Sequence, residues 1–249
     1  AAGVSSDLAS GVVSISSTFY AFAALKEDGS VITWGSSSYG GDSSLVSSKL
    51  SSGVDQVYSN KGAFAAVKND GSVVAWGAST YGGDISVVNA KVASDVSRIF
   101  STLSAFAALK TDGSVVTWGN ADNGGSSASV VNFISSGIVQ ISSTDRLFIA
   151  TNAIGNVTLW GGKEFDESPA FMRSVLTDNG FTQIAWSDGA HAIITLDGAC
   201  VAWGSDDYGG NPRFVGSYLR FGVVQIASTS SGFVALLFDG SVVTWGGDT

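Results

Sequence analysis

Few side chains in this sequence are of the kinds that do chemistry. Among 249 residues there is one histidine, His191, and one cysteine, Cys200. A nucleophile needs a base within reach and a third group to orient that base, and no Ser, Cys or carboxylate stands with His191 in any recognisable pattern. His191 is read instead as a packed ring, because it fills a slot held elsewhere by Phe22, Phe64, Phe106, Phe148 and Phe233. The lone cysteine excludes an internal disulfide, and its place between Gly198 and Trp203 reads as a buried, inert thiol. Glu164, Asp166 and Glu167 are a third candidate, for a hard cation. They lack the liganding order of a calcium loop and read as a solvated acidic loop. The sequence therefore predicts no metal, no cofactor and no enzymatic activity.

What positions these residues is a repeat. Trp-Gly recurs at Trp34, Trp76, Trp118, Trp160, Trp203 and Trp245, with gaps of 42, 42, 42, 43 and 42 residues. A fixed period of this length means an array of one supersecondary unit. Each unit opens with an alternating run, at Val12, Val54, Val96, Ile138, Phe181 and Val223, and passes through a second apolar run. In five units Asp-Gly then leads into a third run that ends at the Trp, and unit four has Ile154-Gly155-Asn156 in its place. Asp-Gly between alternating runs predicts a two-residue hairpin turn, which makes these aspartates turn residues. A Ser/Gly loop and a weaker run, such as Ser44 to Leu50, complete the unit. Four strands in about 42 residues describe a blade of a β-propeller.

The expected fold is all-β, a six-bladed β-propeller of four-stranded blades forming one domain over residues 1–249. Its units lie near 11–52, 53–94, 95–136, 137–179, 180–221 and 222–249 plus 1–10. Residues 3–8 resemble Ser44 to Leu50, which predicts that an N-terminal strand completes the last blade and closes the ring. The six tryptophans are framework on this reading, each packed between neighbouring blades rather than offered as a ligand-stacking row.

A net charge of −9 and a pI near 4.3 repel phosphate backbones, which excludes nucleic acid as a partner. The apolar runs are strand-length, short of the roughly 20 residues of a membrane helix, so no direct membrane insertion is expected. Residue 1 is Ala, which fits removal of a signal or transit peptide and favours a secreted or organelle-lumen protein. Asn156-Val157-Thr158 is a formal N-glycosylation acceptor.

The unit order Gly-Val-x-x-Ile-x-Ser, then Ala-Phe/His-Ala-x-Leu-Lys-x-Asp-Gly-Ser-Val-x-Thr-Trp-Gly, then x-x-x-Tyr-Gly-Gly, resembles the repeat of the regulator of chromosome condensation family of propellers. The resemblance covers essentially the whole chain. Eponymous members are seven-bladed, catalyse nucleotide exchange on a small GTPase and dock on chromatin. This chain has six short units, no long insertion and no basic tail. The resemblance therefore implies the protein-binding use of the fold found in shorter-repeat relatives, rather than exchange.

Comparison among the units places the binding residues. The connector between first and second strands varies most, and in a four-stranded blade it shares a face with the loop after the third strand. Phe19, Tyr20, Lys61, Leu103, Asp145, Arg146 and Asp188 are candidates there, since aromatics and Arg anchor interfaces. Trp186 borders the same connector where the other units have Ser17, Ser59, Ser101, Ser143 and Ser228. It is either an anchor or a filler of space. In unit four Phe165, Phe171 and Met172 form a further candidate patch. The expected partner is another protein. The alternatives are a glycan, bound by Tyr39-Gly40-Gly41-Asp42 and its equivalents in a lectin-like ring, or a structural role inside a larger complex.

Overall fold

The computed structural model describes residues 4–154, 156–162 and 181–247. Among these described residues are eighteen strands in six antiparallel sheets of three. Sheet one is β1 (Val12–Ser17), β2 (Ala21–Lys26) and β3 (Val31–Gly35), and sheet two is β4 (Val54–Ser59), β5 (Ala63–Lys68) and β6 (Val73–Gly77). Sheet three is β7 (Val96–Ser101), β8 (Ala105–Lys110) and β9 (Val115–Gly119), and sheet four is β10 (Ile138–Ser143), β11 (Leu147–Asn152) and β12 (Val157–Gly161). Sheet five is β13 (Phe181–Trp186), β14 (Ala190–Thr195) and β15 (Cys200–Gly204), and sheet six is β16 (Val223–Ser228), β17 (Phe233–Leu237) and β18 (Val242–Trp245). The chain divides into two compact bodies, Ala1–Ile154 with Thr158–Lys163, and Gly155–Val157 with Glu164–Thr249.

The sheets have three strands, not the four expected. Ser44–Val46 is a 3-10 turn running into a single helical turn, Ser47–Leu50. The reason is legible in the apolar spacing: Val46 and Leu50 lie four apart and pack on the same core, while Leu45 between them is 100% exposed. Val88 and Val92 repeat the spacing, as do Val130 and Ile134. Four-residue spacing stacks side chains on one helical face, whereas a strand requires alternation. Contact with the third strand shrinks to one bond, such as Val73 N–H to Val92 C=O at 2.9 Å. Of the closing strand expected at residues 3–8, the described residues 4–8 form turns, not a strand, for the same reason. Val4 and Leu8 are also four apart, and Leu8 N–H donates to Val4 C=O at 3.1 Å in a run of turns.

The Asp-Gly turn is longer than expected. Gly29 N–H donates to Lys26 C=O at 2.9 Å and Lys26 N–H to Ser30 C=O at 2.9 Å. The loop is thus Glu27-Asp28-Gly29, with only Gly29 at positive φ, 76°, as in three-residue hairpin loops. Asp28 Oδ1 accepts from Ser30 N–H at 2.9 Å and Ser30 Oγ at 2.6 Å, and these bonds hold its pKa below the usual carboxylate range. The aspartates are therefore turn residues, as expected.

Among the described residues four of the six repeat tryptophans form joints between successive units. Phe64 stacks on Trp76 at 5.1 Å, and the pair receives the loop of the unit before it: Trp76 Nε1–H donates to Gly40 C=O at 3.0 Å. Gly40 is in the left-handed region at φ 91°, and a Cβ there would stand 2.7 Å from the Phe64 ring. The same clamp joins Trp118 to Gly82, Trp160 to Gly124 and Trp245 to Gly209, at 3.0–3.1 Å. These rings are buried, and their packing with a neighbouring loop leaves no open stacking row.

Candidate binding face

The variable connectors follow β1, β4, β7, β10, β13 and β16, and their middle residues are linked through main-chain atoms. Phe19 N–H donates to Lys61 C=O at 3.0 Å, Lys61 N–H to Leu103 C=O at 3.2 Å, and Leu103 N–H to Asp145 C=O at 2.8 Å. In the second body Asp188 N–H donates to Ser230 C=O at 2.8 Å. This relay brings Phe19, Lys61, Leu103 and Asp145 into one row.

The first residue of each connector ties that row to the loop after the third strand. Buried Thr18 donates through Oγ1 to Tyr39 C=O at 3.0 Å, and Asn60 through Nδ2 to Tyr81 C=O at 2.7 Å. Thr102 does the same to Asn123 at 2.8 Å and Ser187 to Tyr208 at 2.7 Å. Both connectors of a unit therefore share a face, as the repeat pattern predicts.

The third connector residue decides what the loop aromatic does. Gly62 leaves room for the Tyr81 ring, which a Cβ would meet at 2.6 Å, and Gly189 does so for Tyr208. Ser104 instead accepts a hydrogen bond from Asn123 Nδ2. Tyr20 makes an edge contact with Tyr39 at 4.8 Å. Phe19 packs edge-on to Tyr20 at 6.2 Å, and Lys61 Nζ lies 4.9 Å from the centroid of the Phe19 ring. Phe19 and Tyr20 are each 61% exposed. Phe19, Tyr20, Tyr39 and Lys61 thus make an aromatic cluster with a cation against it, in which Tyr39, singled out by sequence only for the glycan alternative, joins the connector residues.

Farther along the row, Asp145 and Arg146 are exposed and Leu103 is half-buried. In the second body Asp188 is exposed, and Trp186 is half-buried at the end of β13, opposite His191 across the β13–β14 pairing. Phe165, Phe171 and Met172 lie outside the described residues. So does the acidic loop with Glu164, Asp166 and Glu167. Between sheets three and four a groove of about 500 Å³, lined by Arg98, Phe100, Val139 and Gln140 among others, was not anticipated.

The remaining chemical candidates behave as packing groups. His191 packs at a tilt of 35° against Trp203 at 5.3 Å, the Phe–Trp separation of the other units, and burial lowers its pKa to about 4. Its Nδ1 and the indole N–H of Trp203 are buried without a partner. Burial pushes the Cys200 thiol up to about 12, far from the thiolate a nucleophile needs. Asp42 Oδ1 accepts from Ser44 N–H at 2.9 Å and Asp84 Oδ1 from Ser86 N–H at 2.8 Å, so both carboxylates serve local turns. Among the described residues no three His, Cys, Asp or Glu side chains group as metal ligands.

Repeated three-stranded sheets joined by a Trp–glycine clamp define a propeller-type repeat protein. The model of the regulator of chromosome condensation (RCC1) repeat matches residues 12–40. Yeast RCC1 (Prp20) bound to Kap60 is similar in fold, with a TM-score of 0.52 at 17% identity over 98% of this chain and 71% of that one. Prp20p from Saccharomyces cerevisiae, described with its binding to Gsp1p and histones, gives 0.51 at 16% identity over 98% and 73%. No curated protein matches the sequence.

Proposed function

We propose that the chain is a non-enzymatic, protein-binding propeller domain that engages its partner through the connector face. The observation that carries this reading is the cluster of Phe19, Tyr20, Tyr39 and Lys61. Two aromatic rings, each 61% exposed, are held by mutual edge contacts and by the buried Thr18 anchor. Exposed aromatics on a rigid base lose little entropy on binding and supply the contact area of interface anchors. The yeast neighbour binds proteins, which supports a protein ligand here. Within the first body the face mixes Lys61 and Arg146 with Asp145, a pattern suited to a mixed-charge protein surface. A lectin-like ring would need equivalent sugar sites in each unit. Tyr39, Asn123 and the glycine-packed pair Tyr81 and Tyr208 instead meet three different local settings, and Asp42 and Asp84 are committed to turns.

The test places a photo-crosslinking amino acid at position 19 or, as a control on the hairpin-turn side, at Glu27. Adducts from position 19 alone that disappear in Tyr20→Ser support the reading. Binding of the captured protein should weaken by about 30-fold or more in Phe19→Ser/Tyr20→Ser, the usual hot-spot scale, with melting temperature nearly unchanged. Undiminished affinity in the double variant overturns it.

A further inference from the structure

In every sheet the first strand is an edge, and hydrogen-bond alternation decides which of its main-chain groups face outward. Thr144 N–H donates to Leu147 C=O at 2.9 Å, and Ser142 and Gln140 fall opposite Ile149 and Thr151 in the same phase. Ile141 is the residue between them, so its N–H and C=O turn away from β11. Where units join inside one body, side chains of the neighbouring unit take such groups. Ser16 Oγ–H donates at 2.9 Å to the C=O of Val57, the residue equivalent to Ile141. Ser101 Oγ–H links sheets three and two by donating to Ser59 C=O at 2.9 Å. In the second body Gln183 serves both groups of Ile226: its Nε2 donates to the C=O at 2.6 Å, and its Oε1 accepts the N–H at 2.9 Å.

Between the first strands of sheets three and four no side chain makes such a bridge among the described residues. Arg98 stands in the repeat position of Gln183, and a guanidinium donates but cannot accept the Ile141 N–H. Phe100 stands in the position of Ser16 and has no polar side-chain atom. The joint is instead a groove of about 500 Å³ whose walls, from β7, β8 and β10, all belong to the first body. That volume lies within the range of small-molecule sites. Phe100, Leu109 and Val139 give it apolar surface, and Ile141 beside them is 3% exposed. A main-chain N–H and C=O in a buried wall are costly unless a polar partner enters. Ser97 is engaged already, its Oγ donating to Leu109 C=O at 2.9 Å. Arg98 and Gln140 are exposed, and neither side chain has a hydrogen-bond or ion-pair partner among the described residues. An unpaired guanidinium in a chain of net charge −9 selects an anion, and its fork fits a carboxylate.

We propose that this groove binds an N-acylated apolar amino acid, free or as the C-terminal residue of a peptide. The ligand pairs with Ile141 as a residue of an adjacent antiparallel strand would. Its N–H donates to Ile141 C=O, and one carboxylate oxygen accepts the Ile141 N–H. Arg98 takes the carboxylate, Gln140 Nε2 donates to the acyl oxygen, and the apolar side chain lies on Phe100, Leu109 and Val139. The ligand thereby does for Ile141 what Gln183 does for Ile226. None of these residues belongs to the connector face, so this reading and the proposed function can fail separately.

The experiment uses the full chain with ¹⁵N-labelled isoleucine, in which Ile141→Val identifies the Ile141 amide signal. In the free protein that amide should exchange with deuterium at least about 10-fold faster than the Ile226 amide, which Gln183 holds. N-acetyl-leucine should shift the Ile141 signal saturably. N-acetyl-leucinamide, which keeps the shape without the charge, should bind at least about 10-fold more weakly, the loss expected for a charged hydrogen bond. Arg98→Gln gives unit three the bridging residue of unit five, and should abolish the shift with the melting temperature kept or raised. Arg98→Met removes the charge without supplying a bridge, and should weaken binding by about the same 10-fold. Tighter binding of an acetylated tripeptide ending in leucine than of N-acetyl-leucine assigns the groove to a peptide C-terminus, and equal or weaker binding assigns it to the free acid. Protection of Ile141 equal to that of Ile226 in the free protein, no saturable shift, equal affinity for the leucinamide, or undiminished affinity in the two Arg98 variants overturns the proposal.

Discussion

Trp118 and Trp34 occupy the same repeat position but differ in what covers them, and this gives a matched pair of variants. Trp118 is 3% exposed, stacks on Phe106 at 5.4 Å and donates to Gly82 at 3.0 Å. A buried tryptophan removes roughly 200 Å² from water, about 5 kcal/mol at 25 cal/mol per Å². Compactness of the denatured chain and the retained Cβ trim this figure, so Trp118→Ala should cost about 3–5 kcal/mol. The indole hydrogen bond is about 1 kcal/mol of that loss, which Trp118→Phe isolates. Among the described residues no glycine carbonyl accepts from Trp34, and its partner Phe22 is 44% exposed, so Trp34→Ala should cost only about 1–2 kcal/mol. Urea unfolding followed by circular dichroism measures both, with slopes compared so that a change in cooperativity is not mistaken for a change in stability. Equal losses at the two positions would refute the view that stability resides in the clamp between units rather than in the Phe–Trp pair itself.

His191, with its pKa depressed from 6.5 to about 4 by burial, contributes stability that is fully present above pH 6.5. That contribution is lost as pH falls toward 4, because the unfolded chain binds the proton first. The loss should reach up to about 3 kcal/mol, and His191→Phe should flatten the pH–stability profile above pH 4.5. Asp95, at φ 65°, stands where other units have glycines such as Gly53 at φ 72°. Asp95→Gly should stabilise by roughly 0.5–1 kcal/mol in chemical denaturation, since a left-handed non-glycine residue costs about 1 kcal/mol or more and the Lys110 contact at 4.0 Å is a weak exposed pair. Trp186→Ser separates anchor from filler. Partner affinity lowered by about 2 kcal/mol with folding intact makes it an anchor, whereas a stability loss of about 3–5 kcal/mol alone makes it filler.

The period, the three core strands, the buried tryptophans and the shared face of the connectors were legible because each rests on side-chain type at fixed spacing. His191 was read correctly for the same reason, from the five phenylalanines in its slot. The fourth segment was misread because its residues were weighed by kind. Ser44 to Leu50 has the composition of a strand, but Val46 and Leu50 sit a helical turn apart, and Val4 and Leu8 carry the same signal. The loop length at Asp28-Gly29 depended on one φ value: with Gly29 alone left-handed, Asp28 is free to cap Ser30. The aromatic cluster was half visible. Tyr20 and Phe19 stood out as deviants, but their partner Tyr39 looked like repeat consensus, and only the bulk of Tyr20 in place of Gly62 or Gly189 changes what Tyr39 meets.

The connector relay explains why variation can gather where it does. Phe19, Lys61, Leu103 and Asp145 hold successive units together through N–H and C=O groups alone, which every residue except proline supplies. Their side chains carry none of that linkage and are free to change, whereas Thr18, Asn60, Thr102 and Ser187 beside them are buried and must each keep a donor. Framework and recognition are thus separated by a single residue along the chain. On the proposed function, such a face would change partner by exchanging the middle residues of its connectors, without disturbing the bonds that hold the units in register.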